Sequence, residues 1–245
     1  MDAINITNLS VKLTDNWGKK IQILNNISLE VSKWKIFGFI GPNGAGKTTT
    51  INTLLGFIEN IEWDFQILWE TLNKEVLSKI WYAPDEAMYY DYLTGLEHII
   101  FFGKLWWLSD IDANKKWLEL LNKLGLDFAK DRRISKYSKW MKQRLGIALS
   151  LINDPELLIW DEPMNGLDPL GRKLIKELMI ELRKKGKTLF FSTHILSDVQ
   201  QVADQFAIIN NGSILLKSNM GDINEDLEDF FVSTIHSQEQ EITIK

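Results

Sequence analysis

A chain of 245 residues with 45% hydrophobic and 25% charged residues has the length and balance for one sizeable globular core. Its 33 acidic against 28 basic residues leave a net charge of −5, which argues against nucleic acid as the main partner. There is no cysteine, hence neither a disulfide framework nor thiol chemistry, and no apolar stretch reaches membrane-spanning length.

Met1-Asp2-Ala3-Ile4-Asn5 lacks the basic-then-apolar order of a secretory leader. From Ile4 to about Ile80, short apolar stretches alternate with turns and predict an antiparallel edge and the first half of the core. Lys35-Ile36-Phe37-Gly38-Phe39-Ile40 reads as a buried strand and runs into Gly41-Pro42-Asn43-Gly44-Ala45-Gly46-Lys47-Thr48. Helical spacing follows in Thr49-Thr50-Ile51-Asn52-Thr53-Leu54-Leu55. A strand, a glycine loop and a helix in that order make a phosphate-binding loop. Glycines let the backbone close around a phosphate, while N–H groups and the helix N-terminus face its negative charge. Lys47 reaches the terminal phosphates and Thr48 offers a hydroxyl to magnesium.

Roughly Asp85 to Pro155 is helix-rich, with apolar spacing in Trp117-Leu118-Glu119-Leu120-Leu121-Asn122-Lys123-Leu124 and a C-cap at Gly125. Tyr137-Ser138-Lys139-Trp140-Met141-Lys142-Gln143-Arg144 opens a helix continuing through Leu145, Ala148 and Leu149. Leu157-Leu158-Ile159-Trp160-Asp161-Glu162-Pro163 is an apolar run ending in two carboxylates, the pattern of a buried parallel strand. An acid pair after a strand is commonly a solvated turn. At the carboxyl end of a doubly wound sheet it reaches the ligand instead, with Asp161 helping to hold magnesium and Glu162 polarising the attacking water. Leu170 to Lys185 predicts an amphipathic helix stopped by Gly186. Thr188 to Thr193 predicts another buried strand, with His194 at its end. Ser197 to Gln205 reads as a helix and Phe206 to Leu216 as a hairpin turning at Asn211-Gly212. From Gly221 the tail is polar and acidic, with one apolar cluster at Leu227, Phe230 and Phe231.

This order resembles the nucleotide-binding subunit of ATP-binding cassette (ABC) transporters, from about Ile4 to Ser218. Gly41 to Thr48 look like the Walker A loop and Leu157 to Asp161 like the Walker B strand. Glu162 stands in the place of the catalytic carboxylate, Ser138 to Arg144 match the signature motif, Asn165-Gly166-Leu167-Asp168 the D-loop, and His194 the switch histidine. The resemblance implies an α/β fold: a P-loop NTPase core with an antiparallel β edge subdomain and an inserted helical subdomain over about 85–155. The ABC ATPase domain would span 1–220 and a short acidic tail 221–245. It implies ATP and Mg2+ as cofactors, Glu162 and His194 as catalytic residues, and Thr48 and Asp161 as metal ligands. Nucleotide contacts would come from Gly41, Pro42, Asn43, Gly44, Ala45, Gly46, Lys47, Thr48, Thr49, Ser138, Lys139, Trp140, Gln143 and Asp168.

In that family two nucleotide-binding subunits pair head to tail, and the segment matching Ser138 closes over the partner's ATP. The chain would therefore work as a dimer with an integral membrane permease, cytoplasmic and peripheral on the inner face of the membrane, powering transport. Asp85 stands where the wider family usually has glutamine. With Asn165-Gly166-Leu167-Asp168-Pro169 and the short tail, this looks most like bacterial exporters of the ABC-2 type. Tyr89-Tyr90-Asp91-Tyr92-Leu93 would lie near the expected docking groove, or serve ordinary helical packing. Two alternatives stand beside transport. A soluble ABC ATPase of translation or repair would call for a second cassette or a coiled coil, and neither pattern is present. A non-hydrolysing, regulatory cassette requires a real tryptophan at 140.

The 10 tryptophans depart from the family systematically. Trp34, Trp63, Trp69, Trp81 and Trp107 fall where the family pattern has glycine, and Trp140 replaces the signature glycine. Glycine at such turns usually has positive φ, which costs a residue with a Cβ on the order of 1–2 kcal/mol. Two explanations stand open. Either a diverged and catalytically weakened subunit repacked around real tryptophans, or these codons are UGA and the host decodes UGA as glycine. Trp17 lies where the family places an aromatic on adenine, and the pattern assigns neither Trp106, Trp117 nor Trp160.

Overall fold

The computed structural model describes residues 2–14, 17–58, 64–105, 110–224 and 226–231. Hydrophobic alternation builds its first sheet. Strands β1 (Asp2–Thr14) and β2 (Lys20–Ser32) pair antiparallel, with Asn5 opposite Glu30, and β4 (Asp64–Ile67) lies on the other edge of β1. β1 buries Ile4 and Ile6, then Leu9 and Val11, so its phase changes midway. The change falls where the register with β2 shifts and Asn8 takes φ 55, a backbone that asparagine tolerates. In β2, Asn26 at φ 51 separates Leu24 from Ile27, Leu29 and Val31 in the same way.

Among the described residues the second sheet has six strands, in the order β5 (Ile80–Ala83), β6 (Leu157–Trp160), β7 (Thr188–Thr193), β3 (Ile36–Ile40), β8 (Gln205–Asn210) and β9 (Ser213–Asn219). The first five of these run parallel. β9 closes the edge as the antiparallel arm of a hairpin on β8. Strands buried on both faces need no alternation of polarity. Their side chains split between two cores instead: Ile36, Ile40, Leu158, Trp160, Leu189 and Phe191 on one face, Phe37, Phe39, Leu157, Ile159 and Phe190 on the other. Phe190 stacks on Phe37 with ring centroids 5.6 Å apart.

The first core receives the helices α3 (Gly95–Leu105), α4 (Asp110–Lys123) and α5 (Lys139–Leu149), which all fall within 85–155. Trp117 of α4 is fully buried, and its ring packs against Gly103 so closely that no Cβ would fit there. Helix α1 (Lys47–Leu54) follows β3, while α6 (Pro169–Lys184) and α7 (Leu196–Val202) make the crossovers into β7 and β8. A short α2 (Lys74–Ser78), capped by Asn73 accepting from the Val76 N–H, precedes β5.

In the acidic tail, Leu227 is fully buried and Phe230 and Phe231 pack on the first core. Two expectations change. The helix predicted to reach Gln205 stops at Val202, because Gln205 is already paired with Phe37 in the sheet. The glycine-type backbone expected at six tryptophans is found at two of the four described positions, Trp34 (φ 60) and Trp69 (φ 69). Trp81 pairs with Leu158 inside β5, and Trp140 sits in the first turn of α5, neither with positive φ. Trp63 and Trp107, like Trp106, lie outside the described residues.

Candidate active site

The sheet order places β6, β7 and β3 side by side, so their carboxyl ends deliver Asp161, His194 and Gly41 to one edge. The Gly41 N–H donates to the Thr193 carbonyl at 3.1 Å, and a Cβ on Gly41 would run into the Ile209 carbonyl. Gly44 (φ 80) and Gly46 (φ 108) turn the chain into α1. Gly46 occupies the N-cap without a side-chain cap, which leaves the N–H groups of that helix start for an anion.

Lys47 is buried, and its Nζ donates to the Gly41 carbonyl at 2.7 Å and the Pro42 carbonyl at 3.2 Å. It also pairs with Glu162 Oε1 at 3.1 Å. Thr48 Oγ1 donates to Asp161 Oδ2 at 2.7 Å. Ser192 of β7 donates to the other oxygen of Asp161 and accepts from the Glu162 N–H at 3.0 Å. Glu162 stands at φ 48, a disfavoured backbone of the kind stored at functional sites. His194 Nδ1 lies 3.0 Å from Glu162 Oε2, so the carboxylate is held from both sides. Lys47, Thr48, Asp161 and Glu162 face a cavity of about 350 Å³ with Asn43, Thr49, Ile23 and Asp85 in its wall, while Ser192 and His194 lie outside that lining. Burial, with Asp161 and Asp85 nearby, pushes the Tyr82 phenol well above its usual range.

Two buried carboxylates against one lysine leave an excess negative charge that suits a cation. Among the described residues no cluster of three or more histidines, cysteines or carboxylates could hold a metal alone. One hydroxyl, one carboxylate and phosphate oxygens are the mixed set that Mg2+ accepts. Thr48 and Asp161 fit that role.

The remaining predicted residues lie elsewhere. Ser138 caps α5, accepting from the Met141 N–H at 3.4 Å, and Asp168 caps α6, accepting from the Gly171 N–H at 2.7 Å. Lys139 and Gln143 line a separate cleft of about 410 Å³ with Asp85, Tyr89, Tyr137 and Lys142. Trp140 is half-buried, its ring 6.3 Å from that of Phe128, with the Arg144 guanidinium 4.6 Å from the ring. None of Ser138, Lys139, Trp140, Gln143 and Asp168 lines the cavity that holds Lys47. Trp17 is 90% exposed and is not in that wall either; Ile23 is. The sequence reading missed Ser192, a polar residue in a fully buried strand, and the bond from Asn165 Nδ2 to Asp85 at 3.1 Å.

The family model described as ABC transporter matches residues 24–165, the segment carrying the phosphate loop, α5 and both strand-end carboxylates. The chain belongs to the ABC transporter family. It is 38% identical over 208 residues to an ABC transporter ATP-binding protein of Synechocystis sp., covering 84% of this chain but only 59% of that protein. It is 37% identical over 223 residues to the lantibiotic transport ATP-binding protein SrtF of Streptococcus pyogenes, covering 91% of this chain and 95% of that one. The bacitracin transport ATP-binding protein BcrA of Bacillus licheniformis is 38% identical over 207 residues, covering 83% and 66%. A solved ATP-binding subunit of an ABC transporter superposes with a TM-score of 0.84 at 28% identity, over 95% of this chain and 99% of that chain. The expected α/β cassette fold, with its antiparallel edge sheet, is therefore the fold of this ABC family member.

Proposed function

We propose that this chain binds Mg-ATP and hydrolyses it as the ATP-binding subunit of an exporter, working through a separate membrane-spanning permease. One observation carries the chemistry: Glu162 sits in a disfavoured backbone at the mouth of the phosphate loop, held between Lys47 and His194. A carboxylate so fixed can take a proton from a water aimed at the terminal phosphate. The loop N–H groups and Lys47 bind and orient the phosphates. Thr48 and Asp161 would hold Mg2+, which neutralises phosphate charge when bound. Ser192 keeps Asp161 and the Glu162 backbone in mutual register.

The separation of Ser138, Lys139, Trp140, Gln143 and Asp168 from the cavity supports a head-to-tail dimer. In it, one copy's α5 start would close over the nucleotide held by its partner. Among the described residues no helix is long and apolar enough to cross a membrane, which supports a separate permease. The relatives named for lantibiotic and bacitracin transport support the export reading. Placement on the inner face of the membrane follows from the same reading. The test is Mg2+-dependent phosphate release by protein purified from its native host, alone and with its permease in vesicles. Absence of turnover under both conditions overturns the hydrolytic reading.

A further inference from the structure

We propose that Asp85 is a positioning residue for Glu162, an inference that rests on the ATPase reading above. Asp85 follows β5, whose neighbour β6 delivers Asp161 and Glu162. Asn165 Nδ2 donates to both Asp85 oxygens, at 3.1 and 3.3 Å. The Asn165 N–H in turn donates to the Glu162 carbonyl at 3.0 Å, closing the tight turn in which Glu162 takes φ 48. A glutamate persists in that conformation only where its surroundings fix it from several sides. Asp85 supplies one of those sides. It also borders two spaces, the cavity with Lys47 and Glu162 and the cleft with Tyr89, Lys139 and Lys142. A carboxylate suits this position because it offers two acceptor oxygens and no donor to the Asn165 amide.

The variants Asp85→Ala and Asn165→Asp, made in the native-host protein, should each lower kcat about tenfold with KM for ATP little changed, as loss of a supporting partner does. The double variant Asp85→Asn with Asn165→Asp reverses donor and acceptor and should recover most of the loss. Hydrogen exchange at the amides of 162–168 should speed up in both single variants and slow again in the double one. An unchanged kcat in Asp85→Ala, or a double variant no better than Asn165→Asp, overturns the role. The exchange measurement decides it even if the parent fails to hydrolyse ATP, an outcome that would sink the ATPase reading separately.

A different observation carries a second inference: we infer that positions 34 and 69 are glycine in the protein its host makes. Trp34 at φ 60 and Trp69 at φ 69 occupy the left-handed region, where a Cβ crowds the following carbonyl. Asn8, Asn26, Asp154 and Asn211 share that region but are types that tolerate it, Glu162 is held there by its site, and Leu68 (φ 53), the other central residue of the Ile67–Glu70 turn, is held by its side chain, which is buried in the second core. Neither indole is needed by a core, being 62% and 44% exposed. Lys33 Nζ lies 3.4 Å from the Trp69 ring, a contact that does not require the left-handed backbone. Trp117 and Trp160 are the opposite kind, fully buried in ordinary helix and strand backbone, and Trp160 Nε1 donates to Ser150 Oγ at 3.1 Å. The chain thus holds tryptophans that its core demands and tryptophans that its backbone argues against. A host that decodes UGA as glycine produces this division when the gene is translated with a code in which UGA means tryptophan. Peptide masses of native-host protein, with the gene's codons, should show glycine from UGA at 34 and 69 and tryptophan from UGG at 117 and 160. Tryptophan at 34 or 69, or glycine at 117 or 160, overturns the inference. The same peptides identify the residues at 81 and 140, where the backbone is ordinary and suits either type.

Discussion

Lys47 Nζ lies 3.1 Å from Glu162 Oε1, so the cation of the phosphate loop and the carboxylate beyond β6 hold each other in a buried site. A bound phosphate has to compete with that carboxylate for the lysine. Removing one member of a buried pair leaves the other charge uncompensated, which is more harmful than losing the pair.

Lys47→Ala therefore acts twice, by deleting the phosphate contact and by stranding Glu162. ATP affinity should fall by roughly 10- to 100-fold, the worth of a charge-assisted hydrogen bond. Isothermal titration with Mg-ATP checks this. Wild-type affinity in the variant would show that Lys47 does not reach the nucleotide.

Glu162→Gln separates binding from chemistry. Glutamine keeps an oxygen near Lys47 but cannot take a proton from water. Turnover should drop by about 10²- to 10⁴-fold while ATP binding is retained or improved. If the chain dimerises around nucleotide, size-exclusion chromatography with ATP should show the variant trapped as a dimer. Equal rates for parent and variant would remove Glu162 from the mechanism.

What was legible in the sequence was what lies contiguous in it. Gly41 to Thr48 carry their own turn chemistry, and Asp161 and Glu162 announce themselves by ending an apolar run. Ser192 did not show, because its contacts with Asp161 and Glu162 exist only once β6 pairs with β7. The Asp85–Asn165 bond was hidden for the same reason, since pairing of β5 with β6 brings the two segments together. The strain expected at Trp81 and Trp140 failed for a local reason. A strand interior and a helix first turn impose their own φ, whatever residue a family pattern places there. In β1 and β2 the change of burial phase at Asn8 and Asn26 was unreadable, because each bulge depends on the partner strand.

Ser192→Ala tests whether that missed residue matters. The substitution removes a donor to Asp161 and the acceptor for the Glu162 N–H in a fully buried setting. Leaving such groups unsatisfied costs about 1–3 kcal/mol. Chemical denaturation should show a loss of that size, and turnover should fall with it as Glu162 loses its backbone anchor. Unchanged stability and rate would mean that water replaces the hydroxyl without consequence.

His98 plays no part in the site, yet it should govern how the fold responds to acid. Its ring is 1% exposed, has no hydrogen-bond partner at either nitrogen, and lies among Tyr89, Tyr90 and Phe102 with centroids 4.9 to 5.8 Å away. Burial pushes its pKa down to about 4. The unfolded chain, with an ordinary histidine near 6.5, therefore binds the proton first as pH falls. Stability from keeping His98 neutral is complete above about pH 6.5 and is lost progressively toward pH 4, by up to on the order of 3 kcal/mol. His98→Phe suits the aromatic surroundings and removes both the unpaired nitrogens and the titration. The variant should match or exceed the parent at pH 7.5, and the gap in its favour should widen between about pH 6.5 and 4. Urea unfolding of both proteins across that range measures the difference directly, with the carboxylates common to both cancelling. A gap that stays constant with pH would show that His98 keeps an ordinary pKa in the folded chain.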